Sequence, residues 1–152
     1  MTNIKAIIFD WGRVLWDPES PALFSETLEV LNYCFEKYPL GLVTLSKSES
    51  PLERRQKIKA SGVEKYFKFI LAGAEDKGEL FKKAAELLNF SPANILVVDD
   101  RIRRMDYVIK NGFQTVWLQK GKFSCELPDI QTGFPKYTIK ELREVINLLT
   151  HI

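Results

Sequence analysis

Five short apolar runs rich in β-branched residues recur along the chain, each followed by a stretch of helical period: Lys5–Phe9, Leu40–Thr44, Phe67–Leu71, Asn94–Val98 and Thr115–Leu118. Such alternation is satisfied by βα units, with the strands parallel and the helices packed on the sheet faces. The expected architecture is α/β, a Rossmann-like three-layer sandwich on a central parallel five-stranded sheet. The 152 residues make one ordinary domain, 1–152, long enough to bury a real core.

Helix signals stand between the runs. Ser50-Pro51-Leu52-Glu53 reads as a capped start with Pro at the first helical position, and Asp76-Lys77-Gly78-Glu79 as another. Thr138-Ile139-Lys140-Glu141 reads as the box opening a C-terminal helix, and the first helix is expected to begin near Ser20-Pro21. Gly62 and Gly112 each follow a helix, where a left-handed stop fits. Gln119 to Lys136 is a long irregular connection.

Composition narrows the function classes. The apolar fraction of 45% and charged fraction of 28% are those of a soluble globular protein, and apolar runs such as Ile95 to Val98 are too short to span a bilayer. The N-terminus lacks the length and cleavage site of a signal peptide, so a cytoplasmic location and no membrane partner are expected. Cys34 and Cys125 are too few and too far apart for a disulfide framework or zinc cluster and read as free thiols. A net charge of +2 argues against a nucleic-acid partner. The basic run Glu53 to Lys59 reads as a solvated helix face, and Arg101, Arg103 and Arg104 as a solvated loop that could also hold phosphate or offset acidic neighbours. The single histidine, His151, stands next to the C-terminus, which excludes histidine-led catalysis.

In a parallel sheet, loops at the carboxyl ends of the strands converge on one edge, where ligands bind. Asp10 follows the first strand, Thr44 ends the second with Ser46 and Lys47 beyond it, Lys77 opens the third helix, and Asp99-Asp100 follow the fourth strand. Carboxylates, a hydroxyl and a lysine on one edge point to a magnesium and phosphate site.

These residues resemble the haloacid dehalogenase superfamily, dominated by aspartate-nucleophile phosphatases. Ile8-Phe9-Asp10-Trp11-Gly12-Arg13-Val14-Leu15-Trp16-Asp17 is similar to the family's first motif, hhhFDxDGTLxD; Leu40-Gly41-Leu42-Val43-Thr44 to the second; Asp76-Lys77-Gly78-Glu79-Leu80 to the third; and Val97-Val98-Asp99-Asp100-Arg101, with Gly112 beyond, to the fourth. The resemblance covers essentially the whole chain in the right order. It implies a phosphohydrolase with Asp10 as nucleophile, forming an aspartyl-phosphate, and with Thr44 and Lys77 completing the catalytic set. Trp11, Thr44 and Lys77 would hold the phosphate. Mg2+ would be held by Asp10, Asp100 and the Gly12 carbonyl, with Asp99 as a further ligand or behind them. Ser46 rivals Thr44, and a stricter alignment of the third motif puts Glu75 in place of Lys77. The Trp11 and Trp16 rings are expected to pack beside the first loop.

The gaps after the first motif and between the second and third leave no room for a cap domain. An open site implies a phosphorylated substrate, bulky or covered by a partner, on a monomer or small homo-oligomer.

The departure lies at Gly12. Most phosphatases of the family have there an aspartate whose carbonyl binds the metal and whose side chain shuttles the leaving-group proton. Glycine keeps the first role and loses the second. General acid–base catalysis is worth about 10²–10⁴-fold, against accelerations of up to ~10²¹-fold for phosphate-monoester hydrolysis, so a slow phosphatase remains reasonable. The alternative is a catalytically impaired metal- or phosphate-binding interaction protein on the same fold. A receiver domain would carry its acidic pair after the first strand, the reverse of the order here.

Overall fold

The computed structural model describes residues 3–152; Met1 and Thr2, included in the expected domain and in the N-terminal reading, lie outside the described residues. Six strands form one parallel sheet in the order β5-β4-β1-β6-β7-β8: β1 (Ala6–Phe9), β4 (Leu40–Leu45), β5 (Phe69–Gly73), β6 (Ile95–Asp99), β7 (Gln114–Leu118) and β8 (Tyr137–Ile139). A separate two-stranded hairpin pairs β2 (Trp16–Asp17) with β3 (Ala22–Leu23). The helices are α1 (Thr27–Phe35), α2 (Pro51–Ala60), α3 (Lys77–Leu88), α4 (Asp106–Lys110) and α5 (Glu144–His151).

Strand periodicity divides the core in two. Ile7 and Phe9 of β1 point to the layer holding Val30, Leu31, Val145 and Leu149 of α1 and α5, whereas Ala6 and Ile8 point to that of Phe81, Ala84 and Leu88 of α3 and Val108 of α4. The central strand is thus apolar on both faces, as a covered parallel sheet requires. The three-layer α/β expectation is borne out, with six strands in place of five.

The sixth strand corrects the reading of Thr138 as the start of a helix. Tyr137, Thr138 and Ile139 pair with Val116, Trp117 and Leu118, because β-branched and aromatic residues beside an open strand edge gain more from the ladder than from a helical turn. The helix starts later, and Glu144 accepts the N–H groups of Lys140 and Glu141, each at 2.8 Å. The segment expected to start the first helix at Ser20-Pro21 instead lies in the β2–β3 hairpin. Asp17 accepts the Glu19 N–H at 3.0 Å in a local turn, and α1 begins at Thr27, whose hydroxyl donates to the Leu15 carbonyl at 2.8 Å. The third expected strand moves two residues on, since Glu64–Tyr66 form a 3-10 turn that takes the Phe67 N–H. Gly62 and Gly112 adopt φ of 88° and 82°, the left-handed stops expected of them.

Between β1 and β4 stand only the hairpin and α1, and between β4 and β5 only α2 and the 3-10 turn. Among the described residues no helix is long and apolar enough to cross a membrane.

Candidate active site

Two strand ends and one helix start meet at the carboxyl edge of the sheet. Asp10 leaves β1, Asp99 ends β6 with Asp100 next, and Lys77 opens α3 behind its N-cap Asp76, which accepts the Glu79 N–H at 3.3 Å. That cap orients the first turn so that Lys77 points inward. Its ammonium donates to Asp10 Oδ1 at 2.9 Å and to Asp99 Oδ2 at 2.6 Å, and its side chain is 3% exposed. Glu75, its rival, is exposed. Burying an ammonium is tolerable only when its charge and its donors are matched, and two carboxylates do both.

The carboxylates are crowded. Asp10, Asp99 and Asp100 each offer an oxygen within 4.8 Å of the others. Asp99 is fully engaged: Oδ2 by Lys77 and Oδ1 by the Arg101 N–H at 3.2 Å. Asp100 Oδ2 is buried and has no hydrogen-bond partner. A buried carboxylate oxygen without a partner is costly, and a hard cation removes that cost. The oxygen-only donor set around this atom therefore fits magnesium.

Electrostatics point the same way. Burial, reinforced by Asp10 and Asp99 and opposed by Lys77, pushes the Asp100 carboxyl up to about 9. Burial and the Asp99 charge raise the Asp10 carboxyl above its ordinary range despite Lys77. For Lys77, burial works against the charged form, but Asp10 and Asp99 outweigh it and hold the ammonium above the usual lysine value. A carboxyl with a raised folded-state pKa binds more protons folded than unfolded, so its contribution to stability is present in acid and is lost as pH rises through the folded value. Metal-free protein should therefore lose thermal stability between the ordinary carboxylate value of 3.8 and about 9. Added Mg2+ should raise Tm more at the alkaline end, where no proton competes for Asp100. Scanning calorimetry with and without EDTA checks this, and a Mg2+ effect independent of pH would contradict it.

A cleft of about 310 Å³ opens over these groups, lined among others by Asp10, Gly12, Arg13, Ser46, Arg54 and Asp100. The Trp11 and Trp16 rings stack on its wall, with centroids 5.2 Å apart and planes at 17°. Thr44 is fully buried, and its hydroxyl accepts from Arg54 Nη1 at 2.6 Å. It meets the cleft through Arg54, whereas Ser46 lines the cleft directly.

Arg54 is the residue that sequence reasoning missed. The run from Glu53 to Lys59 is solvated at Arg55 but turns Arg54 inward, which is a correction to the solvated-face reading. Its weak signal is position: Arg54 lies one turn after the N-cap of a helix that follows a strand ending in Thr44, so it stands at the same sheet edge. The Arg101–Arg104 segment is likewise mixed. Arg103 is solvated, Arg101 lies over the Phe123 ring at 4.2 Å, and Arg104 donates to the Leu45 carbonyl at 3.1 Å and lines the cleft.

No protein-family model matches the chain. A haloacid dehalogenase-like family hydrolase from Streptococcus pneumoniae superimposes with a TM-score of 0.79 at 15% identity, over 98% of this chain and 100% of that one. The fold is that of the haloacid dehalogenase superfamily. Another bearer of the haloacid dehalogenase fold, the HAD-hydrolase YfnB of Bacillus subtilis solved bound to magnesium, matches with a TM-score of 0.69 at 20% identity, over 86% of this chain and 57% of that one. In sequence, the chain is 28% identical over 120 residues to the glyceraldehyde 3-phosphate phosphatase of Pyrococcus furiosus, covering 75% of this chain and 48% of that protein. It thus spans about half the length of the curated relative that it matches.

Proposed function

We propose that the chain is a magnesium-dependent phosphohydrolase that transfers a phosphoryl group to Asp10 and then to water. The observation that carries this reading is the buried constellation of Lys77 bridging Asp10 and Asp99 beside the unpartnered Asp100 oxygen. A purely structural cluster would gain stability by losing one of these carboxylates, since like charges this close repel. The cluster fits a site prepared for a cation and an anion.

Asp10 supplies the attacking oxygen. Lys77 holds Asp10 through its other oxygen, Oδ1, which orients the carboxylate and limits its protonation. Asp99 positions Lys77 through Oδ2, while its Oδ1 accepts the Arg101 N–H. Asp10, Asp100 and the Gly12 carbonyl would hold magnesium, which when bound neutralises charge on the phosphoryl oxygens. Ser46 would receive the phosphate, with Thr44 and the main chain at Trp11 completing the cradle. The cleft is consistent with a phosphorylated substrate that extends out of it, bulky beyond its phosphate. The phosphatase relative supports the reaction class, and the magnesium-bound neighbour supports the ion.

Gly12 sets the expected specificity. With no carboxyl to protonate the departing oxygen, turnover should favour acyl and aryl phosphates, whose leaving groups need little protonation. A Cβ at position 12 would meet nothing nearer than Arg54 Nη1 at 4.0 Å, so the first atom of a Gly12→Asp side chain has room. The substitution is expected to raise alkyl-phosphate turnover by about 10-fold or more, within the range of general acid catalysis. Assays of acetyl phosphate, 4-nitrophenyl phosphate and an alkyl phosphate, with and without Mg2+, test the proposal. Absence of metal-dependent turnover on all three would sink it in favour of a non-catalytic metal- or phosphate-binding protein.

A further inference from the structure

Arg54 occupies the neighbourhood that the missing side chain of Gly12 would fill. A Cβ built on Gly12 finds Arg54 Nη1 at 4.0 Å and no other heavy atom beyond its chain neighbours within that distance. The guanidinium is held rather than loose: Nη1 donates to Thr44 Oγ1 at 2.6 Å, and Nε lies 3.5 Å from Glu49 Oε1. Glu49 is itself fixed by Lys57 at 2.9 Å and by its N–H on Ser46 Oγ at 3.2 Å. The backbone beneath is equally constrained. Ser50 and Glu53 form a reciprocal capping box, Pro51 opens α2, and the Arg54 N–H bonds the Ser50 carbonyl at 3.0 Å. The Arg54 side chain is 14% exposed and lines the cleft. A guanidinium carries five donors and keeps its charge throughout the working pH range, so this one has capacity to spare toward an oxyanion.

We propose that Arg54 takes over the leaving-group side of the reaction, pairing electrostatically with the oxygen that departs from phosphorus where a proton donor is absent. This rests on the phosphohydrolase reading above. As the Asp10 oxygen bonds to phosphorus, the bond from phosphorus to the ester oxygen breaks and its electron pair stays on that oxygen. The oxyanion is held by Arg54 until it takes a proton from water. The hydroxide so formed is neutralised by the proton released when a second water opens the aspartyl-phosphate to inorganic phosphate and free Asp10. A fixed cation stabilises such charge without reorganising, and donors of this kind are worth about 10²–10³-fold in rate.

The test is the leaving-group dependence of Mg2+-dependent turnover across aryl phosphates of graded phenol acidity, with acetyl phosphate as the member that needs least help. Arg54→Ala should lower kcat by about 10²-fold or more on the poorest leaving group and far less on acetyl phosphate, steepening the dependence. Arg54→Lys, or free guanidinium added to the alanine variant, should restore part of the loss, and Arg55→Ala on the exposed side of α2 should behave as wild type. Arg54→Gln, which keeps a donor toward Thr44 without the charge, gives the same reading if the alanine variant does not fold. An equal loss on every substrate, or no loss, overturns the role of Arg54 while leaving the phosphohydrolase reading standing. Failure of the wild type to hydrolyse even acetyl phosphate removes both.

Discussion

Asp10→Asn is expected to lower magnesium-dependent turnover by about 10⁴-fold or more without unfolding the protein. The amide is nearly isosteric, and its oxygen can still accept from Lys77, which also keeps Asp99 at 2.6 Å. What disappears is the nucleophile and one of three crowded negative charges. Burial and the neighbouring Asp99 charge already raise the Asp10 carboxyl, so its ionised form carries a cost in the metal-free fold. The variant should therefore match or exceed the wild type in metal-free Tm, the more so as pH rises. This pairing of lost activity with retained stability separates a chemical role from a structural one. Activity surviving at more than about 1% of wild type would point to another nucleophile or a contaminating enzyme, because loss of a covalent nucleophile ordinarily costs far more.

Lys77→Met should have the largest effect on stability. It removes a buried cation hydrogen-bonded to two carboxylates and leaves Asp10, Asp99 and Asp100 with no compensating charge among them. Breaking a buried pair by removing one partner costs about 3–5 kcal/mol, mainly because the remaining charge is stranded. The loss in EDTA should grow as pH rises toward the Asp100 value of about 9 and should shrink in acid, as protons take over the neutralisation. Mg2+ should restore part of it. Urea unfolding at an alkaline and an acid pH measures this directly. A variant as stable as wild type in EDTA at the higher pH would mean that the three carboxylates do not share the charge balance described here.

The positions of Asp10, Thr44, Lys77, Asp99 and Asp100 were legible because each follows from a local rule: an apolar run ends, or a capped helix starts, and βα connectivity puts all such points on one edge. Ser20-Pro21 and Thr138 show where local rules mislead. Both carry helix-start chemistry, yet Ser20-Pro21 was claimed by a local hairpin pairing Trp16 with Leu23, and Thr138 by a strand edge at Trp117 that lies outside any short window. Arg54 was hidden for a different reason. Arg54 and Arg55 are chemically identical, and only the rotation of α2 against the sheet makes one a cleft residue and the other a solvated one.

The order of apolar runs and strand-end residues by itself determined the parallel α/β architecture and the carboxyl edge on which the candidate site lies, because side-chain periodicity and βα handedness leave few other arrangements. Tertiary structure alone decided that both Asp99 oxygens accept hydrogen bonds while Asp100 keeps an unpartnered oxygen, that Ser46 rather than Thr44 faces the cleft, and that a guanidinium stands beside Gly12. Those outcomes depend on ångström-scale distances between residues far apart in the chain, which are set when helices and strands pack and are not encoded in the spacing of any one motif.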